Sequence, residues 1–209
     1  MLLSDPTPLI TGPVVPVVTL DRAADAVPLA RALLAGGLSV MEITLRTPAA
    51  LEAVRAVVAE VADMVVGVGT IVKPLDVTHA VDAGADFLVS PGTPANLARA
   101  LADAPVPALP GCATVSEAMA LAALGFPVLK FFPAEASGGL RWLNAVAEPL
   151  PDIRFCPTGG VNGNNAAGYL ALRNVLAVGG SWVAPAQAIA AGDLAGITAR
   201  ARAAVALRR

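Results

Sequence analysis

Short apolar runs alternate with longer segments of helical periodicity along almost the whole chain. The apolar runs cover residues 14–20, 38–44, 64–70, 86–90, 106–110, 127–132, 153–158 and 174–180. They are nearly continuous in apolar residues, which is typical of parallel strands that are buried on both faces. A helix-forming segment follows each run, as in the apolar stripe formed by Leu51, Val54, Val57, Val58 and Val61. The pattern therefore predicts eight strand–helix units.

Eight such units within 209 residues predict an α/β fold of the (β/α)8 type, a TIM barrel with eight parallel strands. An open doubly wound sheet is the alternative, but it generally has fewer strands and a glycine-rich dinucleotide fingerprint. The segment Gly67-Val68-Gly69 lacks the third glycine of that fingerprint. No linker or low-complexity tract marks a boundary. We expect residues 1–209 to form a single barrel domain, with a short N-terminal segment, 1–12, that closes its bottom.

Composition narrows the classes of partner. Hydrophobic residues make up 56% of the chain and the net charge is −2, which excludes a disordered protein and argues against nucleic acid or an anionic membrane. No apolar run approaches the ~20 residues of a membrane-spanning helix, and the first residues lack a signal-peptide pattern. We therefore expect a cytoplasmic protein. One histidine, His79, and two separated cysteines predict neither a metal site nor a disulfide framework.

Lys130 and Glu42 are the strongest candidates for chemistry, because each interrupts an apolar strand. A buried lysine is either paired with a carboxylate or held as a neutral amine that can form a Schiff base with a carbonyl. Glu42 is either the structural partner of a buried cation or a general acid/base. Two such residues in one barrel favour catalysis. The other lysine, Lys73, precedes Pro74 at a helix start and is expected to be a solvated loop residue.

Further candidates follow the ends of strands, where active sites of these barrels lie. Arg46 is either a surface residue or a guanidinium that grips a carboxylate or phosphate. The glycine pairs at 159–160 and 179–180 follow the seventh and eighth predicted strands, where many such barrels bind phosphate. Glycine is also common in ordinary turns, so one pair alone is weak evidence and only the two pairs together indicate a phosphate site. Cys112 and Cys156 are expected to be small buried apolar residues.

Six segments together resemble the 2-keto-3-deoxy-6-phosphogluconate (KDPG) aldolase family. They are EITLR at 42–46, GVGT at 67–70, SPG at 90–92, KFFPAE at 130–135, PTGG at 157–160 and GGSW at 179–182. The resemblance runs from about residue 12 to residue 192. It implies a homotrimeric class I aldolase of the Entner–Doudoroff pathway that needs no metal or cofactor. Such enzymes cleave KDPG to pyruvate and glyceraldehyde 3-phosphate, and members often also cleave 4-hydroxy-2-oxoglutarate to pyruvate and glyoxylate.

The same resemblance implies a role for each site residue. Lys130 is expected to form the Schiff base, and Glu42 to act as general acid/base, partly through a water. The other expected contacts are with the keto-acid end of the substrate (Arg46, Thr70, Thr158), with the pocket wall (Pro91, Phe132) and with the phosphate (Gly159, Gly160, Ser181). The residue pattern alone leads to Lys130, Glu42 and the glycine pairs, whereas Pro91 and the substrate come from the resemblance.

Three alternatives stay open at this point. The first is an aldolase for the galactonate-derived epimer of the substrate, which would share the lysine and the glutamate. The second is a phosphosugar isomerase or phosphate-binding synthase on the same barrel, since fold does not determine function. The third is a binding barrel without catalysis, which pyruvate would stabilise without turnover.

Overall fold

A computed structural model describes residues 5–207 of the chain. Among these residues the strands are β1 (Val14–Val18), β2 (Val40–Thr44), β3 (Val65–Gly69), β4 (Phe87–Val89), β5 (Ala108–Leu109), β6 (Gly111–Cys112), β7 (Val128–Phe131), β8 (Arg154–Pro157) and β9 (Val178–Gly180). The helices are α1 (Ala26–Ala35), α2 (Ala50–Glu60), α3 (Pro74–Asp82), α4 (Ala95–Ala102), α5 (Val115–Ala123), α6 (Gly139–Val146), α7 (Ala166–Leu170), α8 (Ala186–Ala190) and α9 (Leu194–Val205), with a 3-10 helix at Ala23–Asp25.

The strands lie in two sheets. One has the order β5-β4-β3-β2-β1-β9 and the other the order β6-β7-β8. The strand pairings within both sheets are parallel. An α/β fold with parallel strands is therefore confirmed, while the described strands form a six-stranded and a three-stranded sheet rather than the single eight-stranded sheet that the sequence predicts.

The division between the two sheets falls at Pro110, within the predicted strand 106–110. β5 pairs with β4 on one side of this proline, and β6 pairs with β7 on the other. Proline has no N–H to donate to a ladder, which interrupts the pairing at this position. Its carbonyl still accepts a hydrogen bond from the backbone N–H of Lys130, at 2.9 Å.

The second junction between the sheets lies between β8 and β9. Two isolated parallel bridges cross it, one from Phe155 to Val175 and one from Thr158 to Gly179. The backbone N–H of Leu176 also donates to the carbonyl of Phe155, at 2.9 Å. Both junctions therefore carry backbone hydrogen bonds, although neither counts as a regular strand ladder.

Alternate residues along the strands face an inner core. This core consists of Ile10, Val15, Val40, Phe87, Val89, Leu109, Val128, Cys156 and Ala177. A larger apolar cluster lies between the strands and the helices. Because side chains alternate along a strand, Glu42 and Lys130 face the same side as Val40 and Val128, two residues earlier. Ile10 brings the N-terminal segment into the inner core, and residues 1–4 of that segment lie outside the described residues.

α2 begins at Ala50, and the Thr47 hydroxyl before it donates to the carbonyl of Leu20, at 2.5 Å. α8 is missing from the predicted elements, since a five-residue helix is too short to show helical periodicity. Of the described helices, none has the length and apolar character needed to cross a membrane.

Candidate active site

The side chains of Lys130 and Glu42 contact each other on the inner face of the strands. The Lys130 Nζ atom lies 3.3 Å from Glu42 Oε1, and the two side chains are 4% and 3% exposed. They come from β7 and β2, which belong to different sheets. Each charge compensates the other, because an unpaired charge at this depth would cost several kcal/mol. The two strongest sequence candidates therefore form one buried ion pair.

Gly69 on β3 makes room for the Glu42 carboxylate. The register pairs Thr44 of β2 with Gly69, so the Glu42 side chain passes beside this glycine. A Cβ atom at position 69 would lie 2.0 Å from Glu42 Oε1. Only glycine leaves the space that the carboxylate occupies, and β3 thereby helps to determine where the Glu42 carboxylate lies.

Two neutral side chains lie beside Lys130 in addition to Glu42. The Phe132 ring centroid lies 5.5 Å from Nζ, within range of a cation–π contact. Cys156 is the register partner of Lys130 on β8 and is fully buried. Burial raises the pKa of the Cys156 thiol to about 12, although the nearby charge of Lys130 acts in the opposite direction. The thiol is therefore neutral and serves as part of the apolar floor, as expected of a small buried residue.

Two threonines follow Glu42 and its register partner along the strands, and sequence reasoning did not single them out. Thr44 Oγ1 donates to the carbonyl of Val18, at 3.0 Å, and lies 2.9 Å from Thr19 Oγ1. Thr44 stands two residues after Glu42, and Thr19 two residues after Val17, the register partner of Glu42. Period-two alternation along β2 is the sequence feature that could have found Thr44.

The glycine pair after β8 forms a tight loop beside the segment that follows β7. Gly159 and Gly160 have φ values of 97° and 81°, in the left-handed region that favours glycine. The backbone N–H groups of Ala134 and Glu135 donate to the carbonyls of Thr158 and Gly159, at 2.8 and 3.1 Å. This arrangement holds the loop next to the strand that carries Lys130.

Glu135 and Tyr169 form a second connection to this loop, which sequence reasoning also missed. The Tyr169 hydroxyl donates to Glu135 Oε1. Burial and this carboxylate raise the pKa of Tyr169 well above its usual range, so the phenol stays protonated as a donor. A Cβ atom at Gly160 would lie 2.5 Å from Glu135 Cγ, which places the Glu135 side chain directly against the loop. Tyr169 is the only tyrosine in the chain, which is the one sequence feature that could have drawn attention to it.

The remaining predicted site residues follow strand ends but make no hydrogen bond or ion pair with Lys130 or Glu42 within residues 5–207. Arg46 is exposed, two residues after the end of β2. Thr70 follows β3 and has a φ of 61°, which is rare for a residue other than glycine. Pro91 and Ser181 follow β4 and β9 by two residues and one residue, respectively. All four therefore stand at the C-terminal ends of strands.

The other lysine and the histidine of the chain are both exposed. Lys73 is exposed at the start of α3, with 64% of its side chain accessible, and His79 is exposed on the same helix. Among residues 5–207, no group of three or more His, Cys, Asp or Glu side chains is arranged to hold a metal ion.

Comparison with known proteins shows the family of this chain. The family model for KDPG and KHG aldolases, where KHG is 4-hydroxy-2-oxoglutarate, matches residues 7–200. The chain belongs to the KDPG and KHG aldolase family. It is therefore an aldolase, and so a lyase. The family expected from the six sequence segments is confirmed.

Individual relatives cover nearly the whole length of this aldolase. The 2-dehydro-3-deoxy-phosphogluconate aldolase of Dickeya dadantii is 50% identical over 198 residues, which are 95% of this chain and 93% of that protein. The KHG/KDPG aldolase of Escherichia coli K12 is 48% identical over 197 residues, or 94% and 92% of the two chains. A crystal structure of the Legionella pneumophila KDPG aldolase, with pyruvate captured as a covalent carbinolamine intermediate, superposes with a TM-score of 0.92 at 42% identity and covers 94% of this chain and 95% of that chain.

Proposed function

We propose that this aldolase cleaves KDPG to pyruvate and glyceraldehyde 3-phosphate through a Schiff base on Lys130, and that it also cleaves 4-hydroxy-2-oxoglutarate to pyruvate and glyoxylate. The observation that carries the proposal is the buried 3.3 Å contact between Lys130 Nζ and Glu42 Oε1. It puts an amine and a proton carrier together in an apolar site, which imine chemistry requires. The names of the relatives support the phosphorylated keto-acid as substrate.

In the first half of the proposed reaction, Glu42 takes a proton from the Lys130 ammonium and leaves a neutral amine. The amine attacks the C2 carbonyl of the keto-acid, and a proton moves from nitrogen to oxygen to give a carbinolamine. Glu42 then returns its proton to the departing hydroxyl, and water leaves. The product is a protonated imine on Lys130, which serves as the electron sink for bond cleavage.

In the second half, the Glu42 carboxylate takes the proton of the C4 hydroxyl, directly or through a water. The C3–C4 bond breaks, its electron pair moves to the imine to form an enamine, and the aldehyde departs. Glu42 then donates its proton to C3, which regenerates the imine. Water adds to C2 with Glu42 as base, and pyruvate leaves as Lys130 and Glu42 recover their original protonation. One buried carboxylate thus handles each proton in turn.

The substrate contacts form part of the same proposal. Their support is their place at the C-terminal ends of strands, where this class of fold assembles its sites. Guanidinium and hydroxyl groups would hold the keto-acid end, rings would form the pocket wall, and the glycine loop would receive the phosphate on its backbone N–H groups. The residues proposed are Arg46, Thr70 and Thr158 for the keto-acid end, Pro91 and Phe132 for the pocket wall, and Gly159, Gly160 and Ser181 for the phosphate.

The proposal extends to the architecture. We infer one closed barrel of eight parallel strands, in which β5 and β6 are two halves of one strand, and a single domain over 1–209 with residues 1–12 at its bottom. Three observations support it: Pro110 alone separates β5 from β6, its carbonyl binds the N–H of Lys130, and isolated bridges join β8 to β9.

We further propose a cytoplasmic homotrimer. The cytoplasmic assignment rests on the apolar runs of the sequence, which are shorter than the ~20 residues of a membrane-spanning helix. Exposed apolar side chains at Val72, Leu75 and Met119 support a surface that packs against other copies. Light scattering coupled to size-exclusion chromatography would give three times the chain mass if the trimer is correct, and the chain mass if it is not.

The decisive experiment is reduction with borohydride in the presence of pyruvate, followed by peptide mapping. The chain contains two lysines, Lys130 and Lys73, so the modified site is unambiguous. We expect a reduced pyruvyl adduct on Lys130 and none on Lys73. Lys130→Met should abolish both the adduct and cleavage, while the matched variant Lys73→Met should retain both.

Two results would contradict the proposal. One is the absence of an adduct in folded, pyruvate-saturated protein, and the other is cleavage by Lys130→Met well above background. Circular dichroism of both variants establishes that they are folded. Relative kcat/KM on KDPG and its galactonate-derived epimer then tests the substrate, and we expect the higher value for KDPG.

A further inference from the structure

A cavity of about 460 Å³ lies at the end of the strands opposite the glycine loop. Pro13 lines it just before β1, Arg154 lines it at the first residue of β8, and Val175 and Leu176 line it just before β9. These positions are N-terminal strand ends, whereas the proposed substrate contacts follow C-terminal strand ends. The cavity is therefore separate from the site around Lys130.

Among the described residues 5–207, the charged side chains that line the cavity are two arginines, Arg154 and Arg173, and no carboxylate side chain lines it. Arg154 donates one hydrogen bond to the Thr7 hydroxyl, at 2.7 Å, and Arg173 donates one to the carbonyl of Ala147, at 3.0 Å. A guanidinium has five N–H donors, so each arginine keeps donors for a further partner. Within residues 5–207, neither arginine belongs to an ion pair.

Two guanidinium groups that have no carboxylate partner in the described part of the chain share one concave surface, and this favours an anion. Local positive potential is strongest in such a concavity, and guanidinium groups bind phosphate and carboxylate oxygens in a bidentate way. The net charge of the chain is −2, so this positive potential is a local feature and not a property of the whole surface. The cavity thus differs in charge from the protein around it.

Most of the other residues that line the cavity are apolar, among them Ile10, Leu170 and Leu207. Its volume falls within the roughly 300–1,000 Å³ typical of small-molecule sites, which combine apolar walls with a few polar groups. We propose that this cavity binds a small organic anion, in which a phosphate or carboxylate contacts Arg154 and Arg173 and an apolar part packs on these side chains.

Calorimetric titration with phenyl phosphate tests the proposal, because this probe combines the anionic head with an apolar ring. We expect at least about a tenfold weaker Kd in Arg173→Gln, since one charged contact is lost. Arg55→Gln is the matched control, because Arg55 is exposed on α2 and lies outside the cavity lining. Titration with inorganic phosphate and with benzoate separates the contributions of the phosphate head, the carboxylate head and the ring.

Additional variants test whether any loss of binding comes from the cavity itself. Arg154→Gln removes the bond to Thr7 as well, so Leu207→Glu supplies an independent perturbation that places a negative charge in the cavity wall and should abolish binding. Cleavage activity of Arg173→Gln should stay at the level of the unmodified protein. The proposal is wrong if phenyl phosphate does not bind, or if all these variants bind it equally, which would place the probe at the glycine loop. Binding is measured without turnover, so this outcome is independent of the proposed reaction.

Discussion

Gly69→Ala should displace the Glu42 carboxylate while both Lys130 and Glu42 remain in the protein. The variant therefore tests whether the position of Glu42 matters for catalysis. An alanine Cβ at position 69 would lie 2.0 Å from Glu42 Oε1, 2.6 Å from Cδ and 2.7 Å from Cγ. Ordinary contacts of a Cβ begin at about 3.4 Å, so the carboxylate must retreat by more than 1 Å. The contact between Lys130 Nζ and Glu42 Oε1 is already 3.3 Å long and would be lost.

The backbone of β3 has little freedom to relieve this clash. β3 lies between β2 and β4, and the Gly69 carbonyl accepts a hydrogen bond from the N–H of Leu45, at 2.8 Å. A displacement of about 1 Å in a catalytic group costs on the order of 100-fold in rate. Overpacking of this kind also lowers the free energy of unfolding by about 1–3 kcal/mol. We therefore expect kcat for KDPG cleavage to fall about 100-fold in a protein that still folds.

Gly92→Ala is the matched control, because a Cβ at position 92 meets no atom within 4 Å. The assay compares kcat for KDPG cleavage, the rate of borohydride trapping with pyruvate and the thermal midpoint of both variants. Gly92→Ala should match the unmodified protein in all three. If Gly69→Ala cleaves KDPG within about threefold of the unmodified rate, then the position of Glu42 does not govern catalysis and the proposed proton transfers are wrong.

Tyr169→Phe removes the hydrogen bond to Glu135 that supports the glycine loop, so KM for KDPG should rise about tenfold while KM for unphosphorylated 4-hydroxy-2-oxoglutarate stays constant. Equal changes in both KM values would contradict a role in phosphate binding. Burial raises the thiol pKa of both Cys112 and Cys156 to about 12, so neither should react with a disulfide reagent at pH 8 until the protein is unfolded. Labelling of the folded protein would contradict that burial. Thr114→Ala deletes the side-chain cap of α5 and should lower the free energy of unfolding by about 1 kcal/mol in urea titrations without changing kcat, whereas an unchanged midpoint would show that the cap contributes nothing.

Local patterns along the chain predicted much of the fold, because alternation and strand-to-helix spacing depend on near neighbours. The parallel α/β arrangement and the helices that follow the strands are confirmed. Pro110 shows the limit of such patterns, because its missing N–H interrupts a ladder only where a neighbouring strand is present. Of the predicted strand 106–110, β5 covers only Ala108–Leu109, and β6 begins after Pro110. α8 was missed for a different reason, since five residues do not display a helical period.

For the candidate site, too, local sequence patterns identified some residues and not others. Lys130 and Glu42 were visible in the sequence because a charged residue in an apolar strand is unusual wherever the strand lies. Arg46, Thr70 and Pro91 have no such local distinction, and their proposed roles come from the family resemblance.

The sequence by itself therefore determined the order of the elements and the identity of the two candidate reactive side chains. Only the tertiary structure decided that these side chains, 88 residues apart, lie 3.3 Å from each other. It also decided that Gly69 leaves space for the carboxylate, that Tyr169 reaches Glu135, and that two arginines share a cavity at the opposite end of the strands. Each of these contacts joins separate elements, and strand register and side-chain packing determine them rather than any pattern along the chain.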